Sequence, residues 1–152
     1  MVTWSECQDD FVRDGSLRDV YVLDGSFAAW NALLDIAREC GPRFIVDGEE
    51  SLPMSVEDAF AASSSAAVAL GFEWQGLMLT AHFFAVEEVT LCFWPEEITD
   101  QRSLDALCSF LRKLAVSTNR EAIVTDDGAR EAVILRASPS GDVILEPSPP
   151  AR

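Results

Sequence analysis

A single histidine limits the acid–base chemistry available to this chain. His82 lies in the apolar run from Leu77 to Phe84 and, on strand alternation, shares a face with Met78, Thr80 and Phe84. A Ser-His-Asp or Cys-His arrangement would have to use it. No G-x-S-x-G elbow accompanies it, so a hydrogen-bonded core or cross-strand histidine is the expected role, with no catalytic residue assigned. Metal chemistry would fall to Asp47 with Glu49 and Glu50, or to Glu87 with Glu88. Neither set has the spaced acids and central glycine of a calcium loop, so both read as solvated turns and no metal is expected. Asp126-Asp127-Gly128 is likewise a turn signal first. Neither G-x-x-x-x-G-K-[ST] nor G-x-G-x-x-G occurs, which leaves no cofactor to expect. Four cysteines, Cys7, Cys40, Cys92 and Cys108, are widely separated and form no C-x-x-C pair; they read as buried, reduced thiols.

Charge says more. Lys and Arg number 11 against 26 Asp and Glu, giving a formal net charge of -15 and a pI near 4.2, which argues against nucleic acid or an anionic membrane surface as partner. Between Arg43 and Arg102 there is no Lys or Arg at all. That span nonetheless holds 11 carboxylates: Asp47, Glu49, Glu50, Glu57, Asp58, Glu73, Glu87, Glu88, Glu96, Glu97 and Asp100. They form either a solubilising surface or a docking face for a basic partner. Among the four tryptophans, Trp30 and Trp74 fall on apolar stripes and read as packing residues. Trp94 stands at a strand end beside Pro95-Glu96-Glu97, where an aromatic next to carboxylates could either pack or anchor a partner's apolar or cationic side chain.

The elements that must carry these residues centre on Val68 to Trp94. Val68, Leu70, Phe72 and Trp74 alternate as one buried strand face, Gln75-Gly76 makes a turn, and Leu77 to Phe84 is apolar enough to be a central strand covered on both faces. Val89, Leu91 and Phe93 complete a three-strand meander that Pro95 ends. Upstream, Asp9 to Val12 reads as a short edge strand joined through Asp14-Gly15 to a firmer strand at Leu17 to Leu23. Ser26 caps an amphipathic helix that Gly41-Pro42 stops. Arg43 to Val46 is a strand, Asp47 to Glu50 an exposed turn, and Ser55 caps a short helix through about Ala62. Thr99 or Asp100 caps a second long helix with Leu104, Leu107, Leu111 and Leu114 on its apolar stripe, and Arg112 and Lys113 fall in its last turns. Ala122 to Thr125, Ala132 to Ala137 and Val143 to Leu145 read as hairpin strands at the sheet edge.

The expected fold is α+β: residues 1–146 as one domain with a mainly antiparallel sheet of six to eight strands, and helices near 26–40 and 103–117 packed on it. Residues 147–152 read as an extended or disordered Pro-rich tail. No apolar run reaches bilayer length, and Met1 to Asp10 lacks a basic start and apolar core, so a cytoplasmic protein is expected. The leading expectation is a small acidic protein-binding module that captures a basic protein through Glu87, Glu88, Trp94, Glu96 and Glu97. Its clearest setting is a bacterial immunity or antitoxin protein bound to a basic toxin. Two alternatives stand beside it. Edge strands near Ala132 to Leu145 could pair two copies into a homodimer, or a pocket near His82 could serve a small-molecule binder or enzyme.

Overall fold

A computed structural model describes residues 1–127 and 129–146; the tail expected at 147–152 lies outside them. The described residues form nine strands: β1 (Arg18–Val22), β2 (Arg43–Val46), β3 (Glu49–Ser51), β4 (Val68–Trp74), β5 (Leu77–His82), β6 (Val89–Phe93), β7 (Ala122–Asp126), β8 (Val133–Ala137) and β9 (Val143–Leu145). Among the described residues four α-helices accompany them: α1 (Trp4–Cys7), α2 (Phe27–Arg38), α3 (Val56–Ser63) and α4 (Gln101–Thr118). All strands join one sheet in the order β3-β2-β4-β5-β6-β1-β7-β8-β9, with antiparallel neighbours throughout.

Local chemistry accounts for most boundaries. The Ser26 hydroxyl accepts from the Ala29 N–H to open α2, and Ser55 does the same for Asp58 at α3. Asp100 and Ser103 cap α4 reciprocally, and Asn119 ends it in the left-handed region at φ 54. The β4–β5 hairpin turns through Gln75 and Gly76 at φ 48 and 91, the paired positive values that a two-residue turn needs. Helices α2 and α4 pack against each other and on one face of the sheet. Leu33, Leu70, Leu79, Leu91, Leu107, Phe110 and Leu111 lie at the centre of that layer, all essentially inaccessible.

The structure corrects the sequence expectation in several places. Asp9 to Val12 is not a strand: Gln8–Phe11 is a 3-10 helix, so no hairpin forms at Asp14-Gly15. Phe11 is 3% exposed and packs between Trp4 and Phe93, and this burial overrides the local turn signal. The stretch Asp47 to Glu50, read as an exposed turn, holds the first two residues of β3 (Glu49–Ser51), and this strand lifts the count among the described residues to nine. The meander's middle strand, β5, lies inside the sheet, but the central position belongs to β6. Nor is β5 covered on both faces. Leu77, Leu79 and Ala81 are buried, while Met78 on the other face is 45% exposed. Helix α4 continues to Thr118, so Arg112 and Lys113 sit more than a turn before its end.

Candidate functional site: the open sheet face and its acidic ends

Strand alternation gives the helix-free face its residues. One rung across it reads Gly71, Thr80, Cys92, Asp19 and Thr125 from β4 to β7. In the next, Ile45 faces Ala69, which faces His82, and Thr90 faces Tyr21, which faces Ile123. No Lys, Arg or Glu occurs on β4, β5, β6 or β1 within these rungs, so the floor is low and mildly polar. Toward β1 and β7 it is covered, with Asp19 8%, Tyr21 6% and Thr125 0% exposed. The Arg130 guanidinium of the β7–β8 loop lies over the Tyr21 ring, 5.1 Å from its centroid. Toward β2, β4 and β5 the floor is open. A cavity of ≈ 360 Å³ lies over Gly71, Thr80, Met78, Glu73, Arg43 and Ile45. Another of ≈ 230 Å³ lies over Ile45, Ala69, His82 and Phe84.

Four titratable groups gather where the rungs meet. His82 Nε2 is 3.8 Å from Cys92 Sγ, and Tyr21 Oη donates to Asp19 Oδ2 at 3.3 Å. Burial lowers the His82 pKa, and the Asp19 charge opposes that shift. Burial pushes the Cys92 thiol up to about 11 and Tyr21 up to about 12, with Asp19 adding to both. The cluster therefore holds a neutral imidazole and a protonated thiol at neutral pH. All four cysteines are free. Among the described residues no His, Cys, Asp and Glu set could hold a metal ion, and no helix is long and apolar enough to cross a membrane.

The five residues singled out in the sequence divide between the two ends of β6. Trp94, 49% exposed, converges with Glu96 and Glu97 at its C-terminal end, where Arg13 and Gly15 complete an open cavity of ≈ 480 Å³. Glu96 pairs with Arg13 at 3.3 Å. Glu97 instead turns inward: one carboxylate oxygen accepts from the Met78 N–H at 3.1 Å and the other is buried without a partner. Glu87 and Glu88 lie at the opposite end, about 17 Å away along the five residues of β6. Their turn is tied down by the Glu87 carbonyl, which accepts from Gly25 N–H at 3.0 Å, and by the Val86 carbonyl, which accepts from Trp30 Nε1 at 3.1 Å. The two acid pairs thus flank one open face but do not meet. Sequence reasoning missed Arg13, Asp19, Tyr21 and Arg130, whose positions depend on long-range pairing of β1 and on the β7–β8 loop. Alternation alone had already placed His82 with Thr80, Met78 and Phe84.

Charge is poorly compensated around this face. Of the 11 carboxylates between Arg43 and Arg102, Glu50 pairs with Arg43 and Glu96 with Arg13. The rest form no salt bridge among the described residues.

The chain is an α+β protein built on one antiparallel sheet with helices on a single face. No protein-family model matches it, and no curated protein does. Among solved structures it is similar to a chain of the crystal structure of the toxic C-terminal tip of CdiA from Pseudomonas aeruginosa in complex with immune protein. That similarity has a TM-score of 0.45 at 13% identity and covers 80% of this chain and 94% of that chain. A likeness of this extent assigns no activity.

Proposed function

We propose that this protein is a small acidic binding module that captures a basic protein without catalysis, with an immunity or antitoxin protein neutralising a basic bacterial toxin as its setting. The observation that carries the reading is the run of carboxylates between Arg43 and Arg102, of which, among the described residues, only Glu50 and Glu96 form a salt bridge. Unpaired charge of one sign raises the local concentration of an oppositely charged partner and speeds encounter. The neutral His82 beside a protonated Cys92 supports binding over nucleophilic catalysis, because a thiol held protonated is a poor nucleophile. The test is capture from native lysate at low and then high salt, followed by binding measurements with each purified basic protein recovered. The reading expects one basic partner bound at low salt and released at high salt. Capture of nothing salt-sensitive sinks it.

A further inference from the structure

We infer that two copies of this chain pair through the open edge of β9, continuing both sheets across a two-fold axis. An edge strand offers unpaired N–H and C=O groups, and proteins usually protect such an edge with charge, proline or a bulge. The two edges of this sheet differ in that respect. Strand β3, at one end, exposes Glu49 and Glu50, so a second copy there would set like charges face to face. Strand β9, at the other, reads Val143-Ile144-Leu145 without a charge, and among the described residues only β8 pairs with it. The chain's charge divides the same way. Residues 1–101, which supply β1 to β6, hold 19 Asp and Glu against four Lys and Arg, whereas residues 102–146, which supply most of α4 and all of β7 to β9, hold seven against six. Strands β7, β8 and β9 lie together at one end of the sheet. That end is close to neutral in a chain of net charge -15, and a second copy meets least repulsion there.

The hydrogen-bond phase of β9 fixes the register. Ser138 N–H donates to the Asp142 carbonyl and Glu146 N–H to the Ile134 carbonyl, both at 2.9 Å, and Ile144 lies opposite Arg136 in the same ladder. Asp142, Ile144 and Glu146 thus turn their backbone groups toward β8, and Val143 and Leu145 turn theirs outward. An antiparallel copy centred on Ile144 sets Val143 against Leu145 on each side of the axis, where each such pair exchanges both of its N–H···O bonds. It also brings the two Ile144 side chains together in the closer, non-hydrogen-bonded kind of pair. Val143 and Leu145 pack against the core, so Ile144, 53% exposed, lies on the face away from the helices. On the helix side Val116 of α4 is 51% exposed beside Gly141 of the β8–β9 turn. One pair is adverse: Asp142 comes opposite the second copy's Glu146, whose charge Arg136 already takes up at 2.5 Å. The acidic end of each sheet stays free for a basic partner, so such a dimer neither depends on the capture reading above nor excludes it.

The experiment is sedimentation velocity on the full chain from about 10 μM to about 1 mM, because three residues of paired strand make a small interface and a weak dimer. Amide hydrogen exchange followed by NMR accompanies it. Wild type is expected to pass from monomer to dimer over that range. Its Val143 and Leu145 amides should exchange more slowly as concentration rises, while the Ile144 amide, turned toward β8, is protected throughout. Val143→Pro removes one outward donor and spares the β8 ladder, and Ile144→Glu puts two like charges face to face across the axis; each should weaken the dimer about tenfold. Denaturant unfolding of Ile144→Glu at low concentration should match wild type. Asp142→Lys, brought opposite the second copy's Glu146, should tighten the dimer several-fold. A chain that stays monomeric to the highest concentration overturns the pairing. So does a dimer indifferent to Val143→Pro, or one whose Val143 and Leu145 amides exchange as fast as in the monomer. None of these results touches the salt-sensitive capture of a basic protein, which the lysate experiment decides.

Discussion

His82 Nε2 lies 3.8 Å from Cys92 Sγ across adjoining strands of the open face. Burial lowers the histidine from its ordinary value of 6.5, against the opposing pull of Asp19. On acidification the unfolded chain therefore binds this proton before the folded one does. The stability contributed by the neutral ring is fully present above pH 6.5 and is lost as pH falls through the folded value. Because the chain has one histidine, its ring proton resonance can be followed without assignment. The expected NMR midpoint is below 6.5, and His82→Gln should flatten the stability profile just below that pH. A midpoint at or above 6.5 contradicts the burial argument.

Gly25 and Gly71 make opposite predictions from one kind of geometry. A Cβ on Gly25 would lie 2.5 Å from the Glu87 carbonyl oxygen and 2.7 Å from its carbon, whereas one on Gly71 meets nothing within 4 Å. Gly25→Ala should cost about 1–3 kcal/mol by forcing α2 and the 85–88 turn apart. Gly71→Ala should be neutral or stabilise by up to about 1 kcal/mol, because glycine is the poorer strand residue. Urea unfolding of the two variants checks both signs.

Trp30 joins the helix layer to the turn that holds Glu87 and Glu88. Its ring is 1% exposed, stacks on Phe83 at 4.7 Å and donates from Nε1 to the Val86 carbonyl at 3.1 Å. Trp30→Ala should cost about 3–5 kcal/mol through the cavity it leaves. Trp30→Phe keeps most of the packing and should lose about 1 kcal/mol with the hydrogen bond. Equal losses in denaturant unfolding would mean the hydrogen bond, rather than ring volume, holds the turn.

Arg18 is 3% exposed and anchors the N-terminal segment. Its guanidinium donates to the Asp10 carbonyl at 2.9 Å and to Asp14 Oδ2 at 3.1 Å, with Asp126 at 3.4 Å. These bonds, with help from Ser16, hold the Asp14 carboxyl far below the usual carboxylate range. A depressed folded pKa gives stability that is present above the ordinary value of 3.8 and lost as pH falls through the folded one. Asp14→Asn should therefore flatten acid unfolding below about pH 4. Arg18→Met should cost about 2–3 kcal/mol at neutral pH. An acid limb unchanged by Asp14→Asn would contradict the pairing.

How much of this could be read from the chain depended on the range of the forces involved. The amphipathic stripes of α2 and α4, the cap residues Ser26, Ser55 and Asp100, and the alternation of β4 to β6 are local signals, and each element forms where the sequence places it. Phe11 is the counterexample. Asp9 to Val12 reads as a short edge strand only through Phe11 and Val12, since aspartates are poor strand formers, and Trp4 and Phe93 bury the Phe11 ring in a 3-10 turn. The same limit applies to the site. Alternation placed His82 on one face with Met78, Thr80 and Phe84, but bringing Asp19 and Tyr21 beside it required β1 to insert between β6 and β7, a pairing set by tertiary packing. Glu96 and Glu97 are adjacent in sequence, yet one faces Arg13 in solvent and the other bonds inward to the Met78 backbone. Composition cannot separate such neighbours.

That separation gives the last prediction, on the kinetics of partner capture. Charge that only steers encounter changes the association rate and is screened by salt, whereas a buried aromatic anchor changes dissociation. The combined reversal Glu87→Lys and Glu88→Lys, at one end of β6, should slow association by about tenfold at low salt and have little effect at high salt. Glu96→Lys, at the other end, should slow it less, since Arg13 already offsets that carboxylate. Trp94→Ala should leave association nearly unchanged and speed dissociation by the equivalent of about 2 kcal/mol at any salt concentration. Glu97→Gln should act mainly on stability, because its carboxylate faces the Met78 backbone. Stopped-flow association and surface-plasmon dissociation with the captured basic partner separate these effects. If Glu97→Gln weakened capture as much as Trp94→Ala while leaving unfolding untouched, Glu97 would be a partner contact and its inward bond incidental.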